Sequence, residues 1–294
     1  MKHLLAALFA FFLLANPAQA ADKPLSVVTS FSVLGDMVRQ VGGDAVVVKT
    51  LVGPDGDAHA YEPTPDDAES IAKADLVVVN GLHLEGWMTR LLASTKTKAK
   101  IVTASVGVAP REMVEENEGK VTDPHAWQDL SNGRIYVKNI AAALEEAAPD
   151  RAQEIEARAK AYDAKLAAMD SEVRAKLAAI PQEKRKIITS HDAFGYFGAA
   201  YGVKFMAPQG LSTESEASAT DLESLIRQIK AEHIKTLFIE NMTDPRLIQQ
   251  IAKDTGAQMG GTLYSDALSP PSGPAPTYLD MFKNNLPKLI AGMK

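Results

Sequence analysis

The sequence predicts an α/β protein of two lobes, each a parallel sheet covered by helices, joined by one long rigid helix. Three observations predict it. Runs rich in Val, Ile and Leu alternate with stretches of helical spacing, the alternation occurs in two series, and an amphipathic stripe of about thirty residues separates them. Near-continuous apolar strands between helices belong to sheets buried on both faces; a sheet wet on one side would alternate apolar and polar residues.

The elements follow in order. "MKHLLAALFAFFLLANPAQA" has a positive start, an apolar run from Leu4 to Ala15, and Ala18-Gln19-Ala20 before Ala21. Residues 1–20 are therefore expected to be a cleaved signal peptide. The run is short for a membrane span, and no cysteine follows it to carry a lipid. The product is expected to be exported, soluble and not lipid-anchored. Strands are then predicted over 25–30, 46–51, 75–81 and 99–105, with helices over 33–42, 65–74 and 85–95 between them. They form an N-terminal lobe, residues 21–148. Ile155, Ala159, Tyr162, Leu166, Met169, Val173, Leu177 and Ile180 recur at steps of three and four. That stripe predicts a linking helix within 149–181, capped by Asp150, stopped by Pro181 and about 45 Å long. A coiled-coil dimer would use a similar stripe, but its alanine content favours packing on the chain's own lobes. No Gly/Ser linker loosens the connection. Strands over 186–190, 203–209, 236–241 and 258–264 build the second lobe, 182–294. Both lobes read as Rossmann-like.

Composition narrows the function. Without cysteine, an exported chain has no disulfides, and any metal site must use His, Asp or Glu. The net charge of −6 and the lack of a basic, aromatic-studded stripe argue against nucleic acid as a partner.

Strand placement sorts the histidines. His59 lies in the loop after the second strand and His125 in "VTDPHAWQDL" after the fourth. His191 follows "KIITS" directly, and Asp266 follows the last strand. Open α/β sheets bind ligands beyond the carboxyl ends of their strands, so two facing lobes would bring these four together. Three imidazoles and a carboxylate make a four-coordinate set suited to Zn²⁺. His3 leaves with the signal. His83 also follows a strand, but Glu85 and Trp87 beside it read as the start of a surface helix. His233 ends a helical stretch, where the helix dipole accounts for it.

"DAHAYEPTPDD", "NGLHLEGWM", "DPHAWQD", "SHDAFGYFGAAYG" and "LYSDALS" together resemble the cluster A-I, or cluster 9, metal-binding proteins of ABC transporters. The likeness runs over essentially the entire mature chain. It implies two lobes on a rigid backbone helix, one metal in the cleft, and His59, His125, His191 and Asp266 as its ligands. It also implies a periplasmic carrier delivering to an inner-membrane permease with a cytoplasmic ATPase. A periplasmic metallochaperone is a further conceivable partner, and a monomer is expected. Manganese binders of this family frequently have a glutamate, as in "SEGAF", where this chain has His191 in "SHDAF". A third imidazole moves the site away from the oxygen-rich coordination of Mn²⁺, making Zn²⁺ the first choice and manganese or iron the alternative. One departure is the stretch 111–123, "REMVEENEGKVTD", which lacks the His-rich loop of many zinc members and reads as a charged surface loop.

Asp57, Glu62, Asp123, Asp192 and Glu240 are placed to take the second N–H of a ligating imidazole. Glu214 or Glu216 would contact a partner or cap a helix, while Trp127 and Phe194 would wall the cleft. A zinc-dependent hydrolase is the rival class, but no H-E-x-x-H motif is present and four protein ligands leave no place for a nucleophilic water. The chain is thus expected to be no enzyme. Affinity should fall as pH drops toward the imidazole pKa, and release should come from loops near His125 or Asp266, without wide hinge closure.

Overall fold

The computed structural model describes residues 23–115, 119–213 and 219–294. The expected signal peptide, Glu214 and Glu216 lie outside them. The first lobe runs β1 (Leu25–Phe31), α1 (Ser32–Gly42), β2 (Val46–Val52), α2 (Pro65–Ala72), β3 (Leu76–Val79), α3 (Met88–Thr95) and β4 (Lys100–Thr103). A hairpin, β5 (Glu112–Glu115) and β6 (Gly119–Thr122), and then α4 (Leu130–Ala147) follow. After α5 (Ala152–Ala178) the second lobe runs β7 (Lys186–Ile188), α6 (Gly195–Tyr201), β8 (Lys204–Met206), α7 (Ala219–Ala231), β9 (Thr236–Glu240), α8 (Arg246–Thr255), β10 (Gln258–Leu263) and α9 (Tyr278–Gly292).

Both four-stranded sheets are parallel, ordered β2-β1-β3-β4 and β10-β9-β7-β8. Counted within each lobe, the second reads 4-3-1-2, which is the order 2-1-3-4 of the first from the other edge. The lobes therefore repeat one topology although their sequences show no convincing identity. Every predicted strand is present, because apolar β-branched runs have few alternatives to a buried parallel sheet.

The linking helix is α5, whose 27 residues span about 40 Å. Ile155, Tyr162, Leu166, Met169, Val173 and Leu177 are buried. The helix packs on α1 and α4 of the first lobe and on α6 and α9 of the second. The stripe is thus covered by the chain's own lobes. One apolar cluster is continuous from the first sheet through α5 to α6 and α9, while a smaller one, including Ile188, Leu237 and Ile251, fills the other side of the second sheet.

Three local expectations are corrected. Asp150 does not cap α5: it sits in a 3-10 turn, Pro149–Arg151, and no side chain caps the helix. Residues Glu85 and Trp87 do not open a surface helix, since both are buried and α3 begins at Met88. The charged segment after β4 carries the antiparallel hairpin β5–β6, which pairs Glu112 with Thr122 and Glu115 with Gly119. The helix α4 follows in a segment where the sequence predicted no element.

Candidate metal centre

His59 sits in the long loop between β2 and α2. The Asp57 carboxylate accepts the His59 backbone N–H at 2.9 Å, and its other oxygen accepts the Thr213 hydroxyl of the opposite lobe at 2.6 Å. Trp87 Nε1 holds the Ala58 carbonyl at 2.9 Å. Thr64 and Asp67 form a capping box that starts α2 behind the loop.

His125 precedes a 3-10 turn, Ala126–Gln128. Asp123 Oδ1 accepts the His125 backbone N–H at 3.0 Å and faces its Nδ1 at 2.8 Å. The turn is tied to both lobes. Asn80, itself held by the Tyr136 hydroxyl at 2.6 Å, donates to the Pro124 carbonyl at 3.0 Å. Trp127 Nε1 and Gln128 Nε2 donate to the Ser265 carbonyl at 2.9 and 2.8 Å, one residue before Asp266.

His191 leaves the end of β7, its N–H donating to Glu240 Oε1 at 2.9 Å while Glu240 Oε2 lies 2.8 Å from its Nδ1. Glu240 ends β9, the neighbour of β7, so the crossing point of the strand order supplies both residues.

These placements converge. His59 Nε2 lies 3.2 Å from His125 Nε2, and Asp266 Oδ2 lies 3.2, 3.5 and 3.1 Å from Nε2 of His59, His125 and His191. All four residues are buried, and their nearest donor atoms lie within 4.8 Å of one another. The Asp123 carboxylate bonded at Nδ1 of His125 fixes that ring's proton there and turns its Nε2 lone pair inward. Glu240 Oε2 lies near enough to His191 Nδ1 to favour the same tautomer, although the two are not aligned as a hydrogen bond. Lone pairs aimed at one point repel unless a cation or protons lie between them. Asp266 Oδ1 is buried without a hydrogen-bond partner, a further free acceptor.

The titration of these groups shows the same need for positive charge. Burial lowers the pKa of His59. Burial also acts to lower that of His125, but the Asp266 and Asp123 carboxylates outweigh it and bring it to about 9. For His191 burial is likewise outweighed, by Glu240 and Asp266, and the pKa stands well above the usual value. Burial would raise Asp266, yet the adjoining His125 and His191 hold it well below the carboxylate range. Raised imidazoles beside a depressed carboxylate mark a place where positive charge is favoured, and a dication could supply it.

The expected carboxylates are sorted by the fold. Asp123 and Glu240 meet imidazole nitrogens. Asp57 reaches the backbone N–H of His59 and not its ring. Asp192 makes no bond to an imidazole; burial, and then Asp123, raise its pKa. Glu62 is exposed, and the contacts of the four side chains do not run to it. Trp127 packs edge-on against His125 with centroids 5.3 Å apart, whereas Phe194 stacks on Phe205 at 4.9 Å inside the second lobe. His83 and His233 are exposed, in left-handed turns with φ of 67° and 51°. Instead of opening a helix, Glu85 accepts from the Ser30 hydroxyl and the Asn80 and Gly81 amides at 2.6, 2.6 and 3.2 Å. Sequence reasoning missed Arg111, whose guanidinium donates to Asp123 Oδ2 at 3.0 Å. No local signal marks it, since the hairpin alone brings residues 111 and 123 together.

Residues 27–292 match the family described as ZnuA, zinc-uptake complex component A periplasmic. The chain is 34% identical over 278 residues to the iron-binding protein YfeA of Yersinia pestis, covering 94% of this chain and 88% of that one. It is 33% identical over 284 residues to the manganese ABC transporter substrate-binding lipoprotein ScaA of Streptococcus gordonii, covering 95% and 92%. The solved structure of the periplasmic zinc-binding protein TroA from Treponema pallidum superposes with a TM-score of 0.86 at 32% identity, covering 92% and 99%. With its fold, its buried His/Asp cluster and these matches, the chain belongs to the periplasmic ZnuA family, the substrate-binding proteins of metal ABC transporters.

Proposed function

We propose that this protein captures Zn²⁺ in the periplasm with His59, His125, His191 and Asp266 and delivers it to a membrane permease driven by a cytoplasmic ATPase. The observation that carries the reading is the convergence of three imidazole Nε2 atoms on one oxygen of Asp266. Three nitrogens and a carboxylate suit tetrahedral zinc, whereas Mn²⁺ prefers more oxygen. Asp123 and Glu240 hold two of the rings, and Asp57 fixes the loop of His59. Four protein donors leave no position for a reactive water, which supports a carrier and not a hydrolase.

The lobes are assigned to residues 21–148 and 182–294, with 149–181 linking them, and the working unit is a monomer; loading by a periplasmic metallochaperone is compatible with this scheme. Residues 1–20 are read as a cleaved export signal. ScaA is named a lipoprotein, but a lipid on cysteine has no attachment point in this sequence. Among the described residues, no helix is long and apolar enough to cross a membrane.

Metal-stripped protein titrated with zinc against a chromophoric chelator tests the reading. One tight equivalent per chain is expected; weak or fractional binding would refute it. The names of YfeA and ScaA favour a second reading, iron or manganese as the cargo. Zinc displaces Mn²⁺ and Fe²⁺ from most sites of this kind, so cellular uptake decides. A strain lacking the protein should lose zinc accumulation and growth at low zinc, whereas loss of iron or manganese accumulation instead would favour the second reading.

A further inference from the structure

Arg111 is tied at three points where the chain enters the hairpin. Its backbone N–H donates to the Tyr196 hydroxyl of the second lobe at 2.8 Å. Its carbonyl accepts the Asp123 N–H at 2.9 Å, and its guanidinium donates to Asp123 Oδ2 at 3.0 Å. The other oxygen of Asp123 is the one that faces His125 Nδ1 at 2.8 Å. Asp123 is wholly buried, while the Arg111 side chain is 34% exposed. The second lobe closes this pair with Gly195, the first residue of α6. A Cβ there would collide with the guanidinium and with Asp123 Oδ2. Gly195 has no left-handed backbone that would call for glycine, so space alone requires it.

We propose that Arg111 is a positioning residue of the metal centre, and that the contact of Gly195 with the Arg111–Asp123 pair couples the grip on metal to the seating of α6. The inference rests on His125 being a ligand. Asp123 holds the imidazole with one oxygen only while its other oxygen is occupied. Without the guanidinium, a buried carboxylate oxygen is left bare, and it recovers a partner by protonation, by taking in water or by swinging away. Each of these frees the ring of His125 to turn its Nε2 out of the cluster. Movement of α6 away from the hairpin removes the wall that keeps Arg111 on Asp123, so the seam between the lobes gains a route to the metal.

The test is the rate of zinc transfer to excess chromophoric chelator, measured by stopped flow on the mature protein. Arg111→Gln and Gly195→Ala should each speed transfer about tenfold, the low end for losing an outer partner of a metal-bound histidine. Arg111→Lys should restore most of the wild-type rate, because a single N–H to oxygen contact is at stake. Arg111→Gln combined with Gly195→Ala should fall short of the product of the two single effects, since both act on the Arg111–Asp123 contact; a merely structural weakening would multiply. Rates within twofold of wild type in a folded Gly195→Ala protein would overturn the inference, as would a multiplicative double variant. Should Arg111→Gln not fold, Gly195→Ala and Arg111→Lys decide, because an added methyl displaces only the flexible end of Arg111 and the Asp123 carboxylate. Failure of the wild-type protein itself to bind zinc would instead overturn the reading of the centre.

Discussion

A histidine is a strong ligand only when its ring is aimed, and the aiming groups differ among the three in this cluster. His125 and His191 have buried carboxylates at Nδ1, at 2.8 Å in each case. Replacing His191 by alanine removes a donor, and zinc affinity is expected to fall by at least about a hundredfold, given that even outer partners are worth 10–100-fold. The far-ultraviolet circular dichroism should be unchanged; unaltered affinity in the folded variant would exclude His191 from the site. Glu240→Gln should cost about 10–100-fold while keeping one equivalent bound. The titration has a definite sign. Because His125 stands at about 9 and His191 well above the usual value, zinc must displace protons at neutral pH, and affinity should rise from pH 6 to 9, about tenfold per unit for each proton expelled. Stability of the metal-free protein runs the other way. A raised imidazole stabilises the fold fully below the unfolded value of about 6.5, and the contribution is lost as pH rises through about 9. A thermal melt of the stripped protein should therefore fall across that window, whereas a melt that rises would contradict the protonated cluster.

At the scale of elements, α5 decides how the lobes are held. Leu166 is fully buried in its stripe, and Leu166→Ala should cost about 2–5 kcal/mol by emptying a packed site. Denaturant unfolding would measure the loss, and zinc stoichiometry should remain one, since the site lies at strand ends away from that stripe. The other tie is the start of α9: the Tyr278 N–H donates to Asp36 of α1 at 2.8 Å, and its hydroxyl donates to the Trp127 carbonyl. Gly133 of α4 leaves room for that ring, because a Cβ there would meet Tyr278. The elements legible in sequence were those whose apolar pattern was dense, such as β1, β3 and α5. The element not legible was the hairpin β5–β6, whose polar residues carry no period that separates a ribbon from a loop.

At the scale of the whole molecule, continuous core from the first sheet through α5 to α9 favours a fixed spacing of the lobes. Small-angle scattering of stripped and zinc-loaded protein should give nearly equal radii of gyration, the differences lying in loops; a large compaction would contradict the stiff connection. Zinc bound to the native state alone should stabilise it by about 2.7 kcal/mol at a hundredfold excess over Kd, and the melting temperature should rise with the logarithm of free metal. A chelator should reverse it.

Sequence by itself determined the two series of strands, the long helix and the four candidate ligands. Apolar periodicity reports burial directly, and open α/β sheets bind at their strand ends. Tertiary structure alone decided which carboxylates serve those ligands. Asp123 and Glu240 were chosen over Asp192 and Glu62 by the parallel pairing of β7 with β9 and by the hairpin that folds Arg111 back on Asp123. Such partners meet across 49 residues, or across a turn with no sequence signature, and spacing along a chain carries no record of distances made by folding it.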